Sequence, residues 1–173
     1  ILLVIGFSTV TYISYRKKSK EAKELREAEI ERQQAEMEEA REFQQAMLPD
    51  EMPATDDYEM VGFQKTATEV GGDFFDFMQK EDGKWIAICG DATGHGLTSG
   101  NVVSITKTAM SSLIEEDPVP TLDSLNTTLL KMNIGLNRMC LNIANIGKDS
   151  IRFSSAGMPP AYYYSAEKGE LEE

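Results

Sequence analysis

The residues of this sequence best suited to chemistry are two aspartates set among glycines. Asp73 follows one pair of glycines, and Asp91 precedes two more. The dipeptide Asp82-Gly83 lies between the aspartates and favours a tight turn. A hairpin centred there places Asp73 opposite Asp91, or within one residue of it. Because directly opposed residues have Cβ atoms about 4.5–5.5 Å apart, the two carboxylates are expected to meet on one face of this hairpin.

Two carboxylates that close together repel each other, and a divalent cation between them relieves the repulsion. Carboxylate and carbonyl oxygens are the ligands that hard ions such as Mg²⁺ and Mn²⁺ prefer. A sharp turn after Asp91 leaves the backbone carbonyl of Ala92 facing the same point. We therefore predict a metal site formed by Asp73, Asp91 and the carbonyl of Ala92, with the two aspartates as catalytic residues. The alternative is that both are strand-end residues bonded to nearby turn amides.

Three other polar residues lie close to this pair in the sequence. Asp76 is an odd number of residues from Asp73, so it faces the other side of the predicted strand. Glu69 can either reach the site through water or lie on the surface. His95 can serve as a general acid, but its two flanking glycines favour a turn residue that tolerates an unusual backbone shape.

Composition argues against several classes of function. The 173 residues carry a formal charge of −12, concentrated after Asp50, so no nucleic-acid-binding surface is expected. One histidine and two cysteines without C-x-x-C spacing argue against a structural zinc site. Cys89 and Cys140 lie within apolar runs, which predicts two buried thiols rather than a disulfide.

The first residues of the chain predict a membrane attachment. Residues 1–15 carry no charge but are shorter than the ~20 residues that cross a bilayer, and a basic cluster follows at residues 16–20. We interpret residues 1–15 as the C-terminal part of a transmembrane helix in the inner (cytoplasmic) membrane, with the remainder of the chain in the cytoplasm. Because the chain begins with Ile1, we expect a fragment of a longer protein.

Residues 16–49 form a charged segment with no glycine and with no proline before the last position. This composition predicts a continuous helix from about Ser19 to Leu48. A heptad pattern can be drawn with Ile30, Met37 and Gln44 at one seam position, although half of the seam residues are weak. The segment is therefore either a signalling linker that joins two copies in a coiled-coil homodimer, or a solvated spacer helix.

Residues 50–173 alternate strand and helix signals, which predicts an α+β domain with hairpins and paired helices. The predicted elements are strands at 58–64, 73–78 and 84–90, helices at 101–114 and 121–132, and strands at 139–146, 151–155 and 161–165. Pro118 and Pro120 are expected to interrupt the chain between the two helices, and Thr121 to cap the second helix.

Four motifs occur in an order and spacing that resemble one known family. They are Phe43-Gln-Gln-Ala-Met-Leu-Pro49, Glu69-Val-Gly-Gly-Asp-Phe-Phe-Asp76, Gly90-Asp-Ala-Thr-Gly-His-Gly-Leu97 and Ser155-Ala-Gly-Met-Pro-Pro160. Together they resemble the SpoIIE/RsbU-like bacterial branch of the PPM-type, metal-dependent serine/threonine phosphatases. The resemblance extends from about Phe43 to the end of the chain.

The resemblance implies a fold, a cofactor and a substrate class. The fold is a PPM-type β-sandwich flanked by helices, incomplete in this chain, and the cofactor is a centre of two Mn²⁺ or Mg²⁺ ions. Asp73, Asp91 and the carbonyl of Ala92 are its implied ligands here. The implied activity is hydrolysis of phosphoserine or phosphothreonine on a regulatory protein of the anti-sigma-factor antagonist type, as the output of a membrane signalling protein.

Two departures from the family pattern bear on activity. Met158 stands where the family usually has a histidine before the paired prolines, and the later Ser-Asp-Gly motif that completes the family's metal site has no counterpart up to Glu173. We therefore expect a phosphatase in the full-length protein and little or no activity from this chain alone. The alternatives are a catalytically inactive PPM-fold module that binds a partner protein, and a nucleotide-binding kinase-like domain, which the glycine pattern matches only loosely.

Overall fold

The computed structural model describes residues 2–49, 51–65, 70–113, 115 and 117–172. The chain divides into two units, Ile1–Glu39 and Ala40–Glu173. In chain order the elements are α1 Leu2–Gln45, β1 Asp73–Gln79, β2 Trp85–Ala92, α2 Leu97–Leu113, α3 Pro118–Lys131, β3 Met139–Ile146, β4 Ile151–Ala156, β5 Tyr163–Ser165 and β6 Glu170–Glu172.

The first unit is helical throughout its described residues and belongs to α1. Oppositely charged side chains four residues apart line its exposed surface, where such pairs each contribute about 0.3–0.5 kcal/mol. They include Lys17–Glu21 at 3.9 Å, Lys20–Glu24 at 3.7 Å and Lys23–Glu27 at 3.6 Å. The predicted continuous charged helix is confirmed, and it ends at Gln45, four residues before Pro49.

The predicted inner-membrane localisation is wrong. Among the described residues, no helix combines the length and the apolar character needed to cross a membrane. The physical reason lies in the sequence of α1, whose uncharged stretch gives way after Tyr15 to lysine, arginine and glutamate. The run of apolar residues is thus shorter than the ~20 that a span requires.

The second unit is built on a four-stranded antiparallel sheet with the order β1-β2-β3-β4. Alternate side chains on its strands face α2 and α3, which both pack against the sheet. These side chains form the core together with residues from the two helices: Phe74, Ile86, Ile88, Leu141, Ile143, Val102, Val103, Met110 and Leu125. The predicted α+β domain with paired helices is confirmed.

The second sheet of the expected β-sandwich does not occur among the described residues. They contain only one further pairing of named strands, the short antiparallel pair of β5 and β6. The sheet face opposite the helices carries Phe75, Phe77 and Phe153, of which Phe153 is 44% exposed. In the described residues, the four-stranded sheet therefore has helices on one face and no second large sheet on the other.

Two strand predictions near the ends of the second unit were inaccurate. Residues 58–64 are not a strand; the segment makes only an isolated bridge between Ala54 and Glu59. Beyond that bridge, the side chain of Gln64 donates to the backbone oxygen of Asp73 at 2.7 Å, a contact that does not belong to a strand ladder. The predicted strand at 161–165 begins only at Tyr163, where it pairs with the unpredicted β6.

The start of α3 differs from the prediction, because Asp117 caps the helix and not Thr121. Asp117 has an extended backbone, and its carboxylate accepts a hydrogen bond from Val119 N at 2.9 Å. Pro118 then occupies the first helical position. Proline is tolerated there because a backbone N–H at this position would have no hydrogen-bond partner within the helix. Thr121 is buried inside the first turns, where its hydroxyl accepts from Glu115 N at 3.0 Å.

This cap assignment predicts that Asp117→Ala lowers the free energy of unfolding by about 1 kcal/mol, the usual cost of losing an N-cap. The matched control is Asp123→Ala, which removes an exposed aspartate from the same helix and is expected to change stability by no more than about 0.5 kcal/mol. Urea denaturation followed by circular dichroism measures both values. Equal stability losses in the two variants would contradict the assignment.

Candidate metal centre

Asp73 and Asp91 are directly opposed in the β1–β2 hairpin, as the sequence predicted. Asp73 is the first residue of β1 and pairs with Asp91, the next-to-last residue of β2. Both are exposed and lie on the sheet face opposite the helices, since the residues adjoining them, Phe74, Gly90 and Ala92, are buried. The structure thus brings both carboxylates to the same end of the same face.

The surroundings of Asp73 disfavour its negative charge. Partial burial, and secondly the neighbouring charge of Asp91, raises the pKa of Asp73 above its usual 3.8. The ionised form of Asp73 is therefore disfavoured in the folded protein, and a bound cation would reverse this preference. Such an arrangement suits a cation site better than a hydrogen-bonded turn, because turn amides would stabilise the ionised form and lower the pKa.

The backbone of Ala92 lies at the same place, next to Gly72. Ala92 N donates to Gly72 O at 2.9 Å. A Cβ added to Gly72 would collide with the carbonyl oxygen of Ala92 and would lie 3.2 Å from Asp91 Oδ1. The absence of a side chain at Gly72 therefore leaves room for the Ala92 carbonyl and the Asp91 carboxylate, which both lie next to it. Two carboxylates and a carbonyl beside a glycine-lined space form a donor set that fits a hard divalent cation.

The loop after Ala92 turns sharply with the help of two glycines. Gly94 and Gly96 have φ angles of 93° and 76°, in the region that glycine adopts without strain. Gly96 N donates to Val70 O at 3.2 Å, which ties the end of the loop to the residues before β1. His95 is exposed between the two glycines, a location that agrees with the predicted turn role.

A further residue at this site, Gln44 in the last turn of α1, was missed as a site residue. Its Nε2 donates to Gly71 O at 2.7 Å, and its Oε1 accepts from Gly71 N at 2.9 Å. In the sequence, Gln44 occupies a seam position of the heptad pattern. A glutamine there indicates only a weak coiled coil and gives no reason to expect a role at a metal site. The one available signal was its presence in the motif that begins at Phe43 and resembles a known family.

Asp76 faces the helices, as its spacing from Asp73 predicted. It is only 6% exposed and pairs with Lys107 of α2 at 3.1 Å. Its Oδ1 also accepts from Phe77 N at 3.0 Å. Asp76 is therefore a structural residue that joins β1 to α2, on the sheet face opposite the candidate centre.

The two cysteines are both free, and the prediction that both are buried was wrong. Cys89 is exposed and Cys140 is half-buried. The reason is that both lie on the sheet face that α2 and α3 leave uncovered, Cys140 being the β3 partner of Asp91. Partial burial, and then the charges of Asp73 and Asp91, raises the pKa of the Cys89 thiol.

The candidate centre contains two carboxylates within the part of the chain that the structure describes. Over those residues no group of three or more histidine, cysteine or acidic side chains is arranged to hold a metal ion. Glu69, which the sequence suggested as an additional contributor, lies outside the described residues.

Comparison with known proteins identifies the family. The family profile described as Stage II sporulation protein E (SpoIIE) matches residues 81–173, more than half of the chain. The chain belongs to this SpoIIE/RsbU-like family of PPM-type phosphatases, as the motifs predicted. Phosphoserine phosphatase RsbU of Bacillus subtilis (strain 168) is 29% identical over 136 residues, which cover 76% of this chain and 40% of that relative.

Two solved structures share the fold. The SiaA-PP2C domain of Pseudomonas aeruginosa superposes with a TM-score of 0.57 at 18% identity, over 73% of this chain and 54% of that one. The RsbU and RsbW domains of Rv1364c from Mycobacterium tuberculosis give a TM-score of 0.53 at 22% identity, over 62% of this chain and 31% of that one. In every case the chain spans less than two thirds of the relative.

The charges around the two aspartates of β1 predict that neutralising Asp73 stabilises the metal-free protein and that neutralising Asp76 destabilises it. In the absence of metal, Asp73→Asn is expected to raise the Tm at pH 7, because it removes a partly buried charge and its repulsion with Asp91. An acid whose pKa is raised by folding destabilises the fold above its unfolded pKa, so the gain should disappear as the pH falls below about 4. Asp76→Asn, in contrast, leaves Lys107 unpaired and should cost about 1–3 kcal/mol.

Thermal unfolding in a chelator at pH 7 and pH 3.5 measures both effects. A lower Tm for Asp73→Asn at pH 7 would show that the fold stabilises the ionised carboxylate of Asp73, and would contradict the raised pKa of Asp73.

The clearance at Gly72 predicts that Gly72→Ala weakens Mn²⁺ binding and costs about 1–3 kcal/mol of stability, since the new Cβ must displace the Ala92 carbonyl. Gly147→Ala is the matched control, because a Cβ there would meet only Ser150 O at an ordinary 3.5 Å. Calorimetric titration with Mn²⁺ and urea denaturation measure the two effects. Unchanged Mn²⁺ affinity in Gly72→Ala would remove this residue from the site.

Proposed function

We propose that the domain containing Asp73 and Asp91 is a metal-dependent phosphatase that hydrolyses phosphoserine or phosphothreonine on a regulatory protein. The observation that carries this proposal is the opposition of Asp73 and Asp91 at one end of the exposed sheet face. Membership in the SpoIIE family and the likeness to a phosphoserine phosphatase of Bacillus subtilis support the reaction class.

In this proposal Asp73, Asp91 and the carbonyl of Ala92 hold Mn²⁺ or Mg²⁺. Such ions supply an activated water and offset the negative charge of the phosphoryl oxygens. The chain's own contribution is positional. The hairpin register sets the separation of the two carboxylates, Gly72 leaves room between them and the carbonyl, and the exposed face leaves the pair open to a substrate protein.

The substrate we propose is a phosphorylated protein of the anti-sigma-factor antagonist type. The support is the family, together with the Mycobacterium tuberculosis relative in which an RsbU domain occurs with an RsbW domain. Pairing of two copies through the charged part of α1 stays a prediction. The heptad pattern of such a pair would have to end before Gln44, because the amide of Gln44 is hydrogen-bonded to Gly71.

The proposal predicts that the full-length protein releases phosphate from a phosphoserine peptide in the presence of Mn²⁺. Asp91→Asn should lower the turnover more than about 100-fold, because even outer partners of metal ligands typically cost 10–100-fold. Asp82→Asn is the matched control, since this aspartate is exposed in the β1–β2 turn, at the far end of the hairpin from Asp91, and pairs with Lys84. A phosphate-release assay with both variants measures the effect.

Turnover that survives Asp91→Asn would refute the assigned site. Absence of turnover in the unaltered full-length protein, with retained binding of a partner, would favour the inactive binding module. The same assay on residues 1–173 alone tests the prediction that this chain by itself is nearly inactive, and robust turnover there would overturn that prediction.

A further inference from the structure

The side chain of Gln44 imitates a backbone peptide in its contact with Gly71. Its amide donates to Gly71 O at 2.7 Å and accepts from Gly71 N at 2.9 Å, so both polar groups of one residue are satisfied by one side chain. Gln44 is 8% exposed although glutamine is usually a surface residue. A buried amide that makes two such hydrogen bonds holds its partner in a single position.

The residue that Gln44 holds is the middle of a short strap, defined here as Val70, Gly71 and Gly72. The carbonyls of the two flanking residues of the strap each accept a hydrogen bond from one end of the loop that follows Asp91. Gly72 O accepts from Ala92 N at 2.9 Å, and Val70 O accepts from Gly96 N at 3.2 Å. The strap leads directly into Asp73, so it connects to both halves of the aspartate pair.

The strap and Gln44 are also packed against the start of α2. Val70 is 2% exposed. A Cβ added to Gly100 would clash with Val70 Cγ1 and would lie 3.5 Å from Gln44 Nε2. The glycine at position 100 therefore lets α2 approach both groups closely, and this packing leaves little space for the amide of Gln44 to move elsewhere.

We propose that Gln44 is a positioning residue of the candidate metal centre, acting through the strap on Asp73 and on the carbonyl of Ala92. This inference rests on the proposed function for its metal, and on the described hydrogen bonds for its geometry. Without the amide, Gly71 N–H and C=O lose their partners in a half-buried place. The strap then shifts or takes up water, and the Ala92 carbonyl loses its fixed location beside Asp91.

The test compares three variants of the full-length protein. Gln44→Met keeps the length and the packing but removes both hydrogen bonds. Gln44→Glu keeps the acceptor for Gly71 N–H but sets a carboxylate oxygen against the Gly71 carbonyl oxygen in a buried place, so its effect should be at least as large as that of Gln44→Met. Gln45→Met makes the same change at the neighbouring exposed position and should behave as the unaltered protein.

Two quantities are measured in each variant. The first is amide hydrogen exchange of Ala92 and Gly96, which should accelerate about tenfold in Gln44→Met while the β3–β4 hairpin remains unchanged, as expected for a local opening. The second is the dissociation constant for Mn²⁺ by calorimetry, which should rise about 10- to 100-fold, as for other residues that orient metal ligands.

The outcomes separate this inference from the proposed function. If the unaltered protein binds Mn²⁺, and Gln44→Met matches Gln45→Met in affinity or in exchange, the positioning role is overturned while the metal site stands. If the unaltered protein does not bind Mn²⁺, the metal site fails and the exchange of Ala92 and Gly96 alone decides whether Gln44 positions the loop. Uniform acceleration of exchange across the whole domain in both Gln44 variants would mean a general structural role and would also overturn the proposal.

Discussion

The register of the β1–β2 hairpin is the constraint on which the candidate centre depends. Seven consecutive residue pairs, from Asp73 with Asp91 to Gln79 with Trp85, fix this register. Because side chains alternate between faces, a slip of one residue in β2 would turn Asp91 toward the helices and would expose Ile86 and Ile88. The apolar core under α2 and α3 therefore stabilises the domain and holds the two carboxylates together by the same packing.

The centre combines a repulsive pair with groups that hold it in place. Asp73 and Asp91 oppose each other without a positive partner of their own in the described hydrogen bonds and ion pairs. Partial burial of Asp73, and secondly the charge of Asp91, raises the pKa of Asp73. On the reverse face of the same strand, Asp76 is paired with Lys107 and contributes to stability. In β1, the charge of Asp76 thus stabilises the fold and the charge of Asp73 destabilises it. A destabilising charge of this kind is expected where a residue serves function rather than stability.

The sequence predicted those features that depend on local patterns. The hairpin register followed from the turn at Asp82-Gly83. Of the six strands among the described residues, five were predicted with both ends within two residues, and β6 was not predicted. The predicted start of α3 is too late because a proline after a helix usually indicates a break, whereas Pro118 occupies the first helical position behind a cap at Asp117. Residues 1–15 were predicted to belong to a transmembrane helix because they lack charge and precede a basic cluster, but none of the described helices has the length and apolar character of a membrane span.

The contacts of Gln44 lay beyond such local reasoning. Its partner Gly71 is 27 residues away, and no periodicity in α1 indicates that the last turn meets the strap. The resemblance of the motif beginning at Phe43 to a known family showed that the segment mattered without showing how. The structure adds the physical reason, which is a buried amide that satisfies a backbone residue next to the candidate metal ligands.

The most direct test of the account is an anomalous-difference map from crystals of the full-length protein grown with Mn²⁺. The account predicts a peak within coordinating distance of the carboxylate oxygens of both Asp73 and Asp91. A peak that contacts neither aspartate, or a fully ordered pair of carboxylates with no peak between them at saturating Mn²⁺, would contradict it.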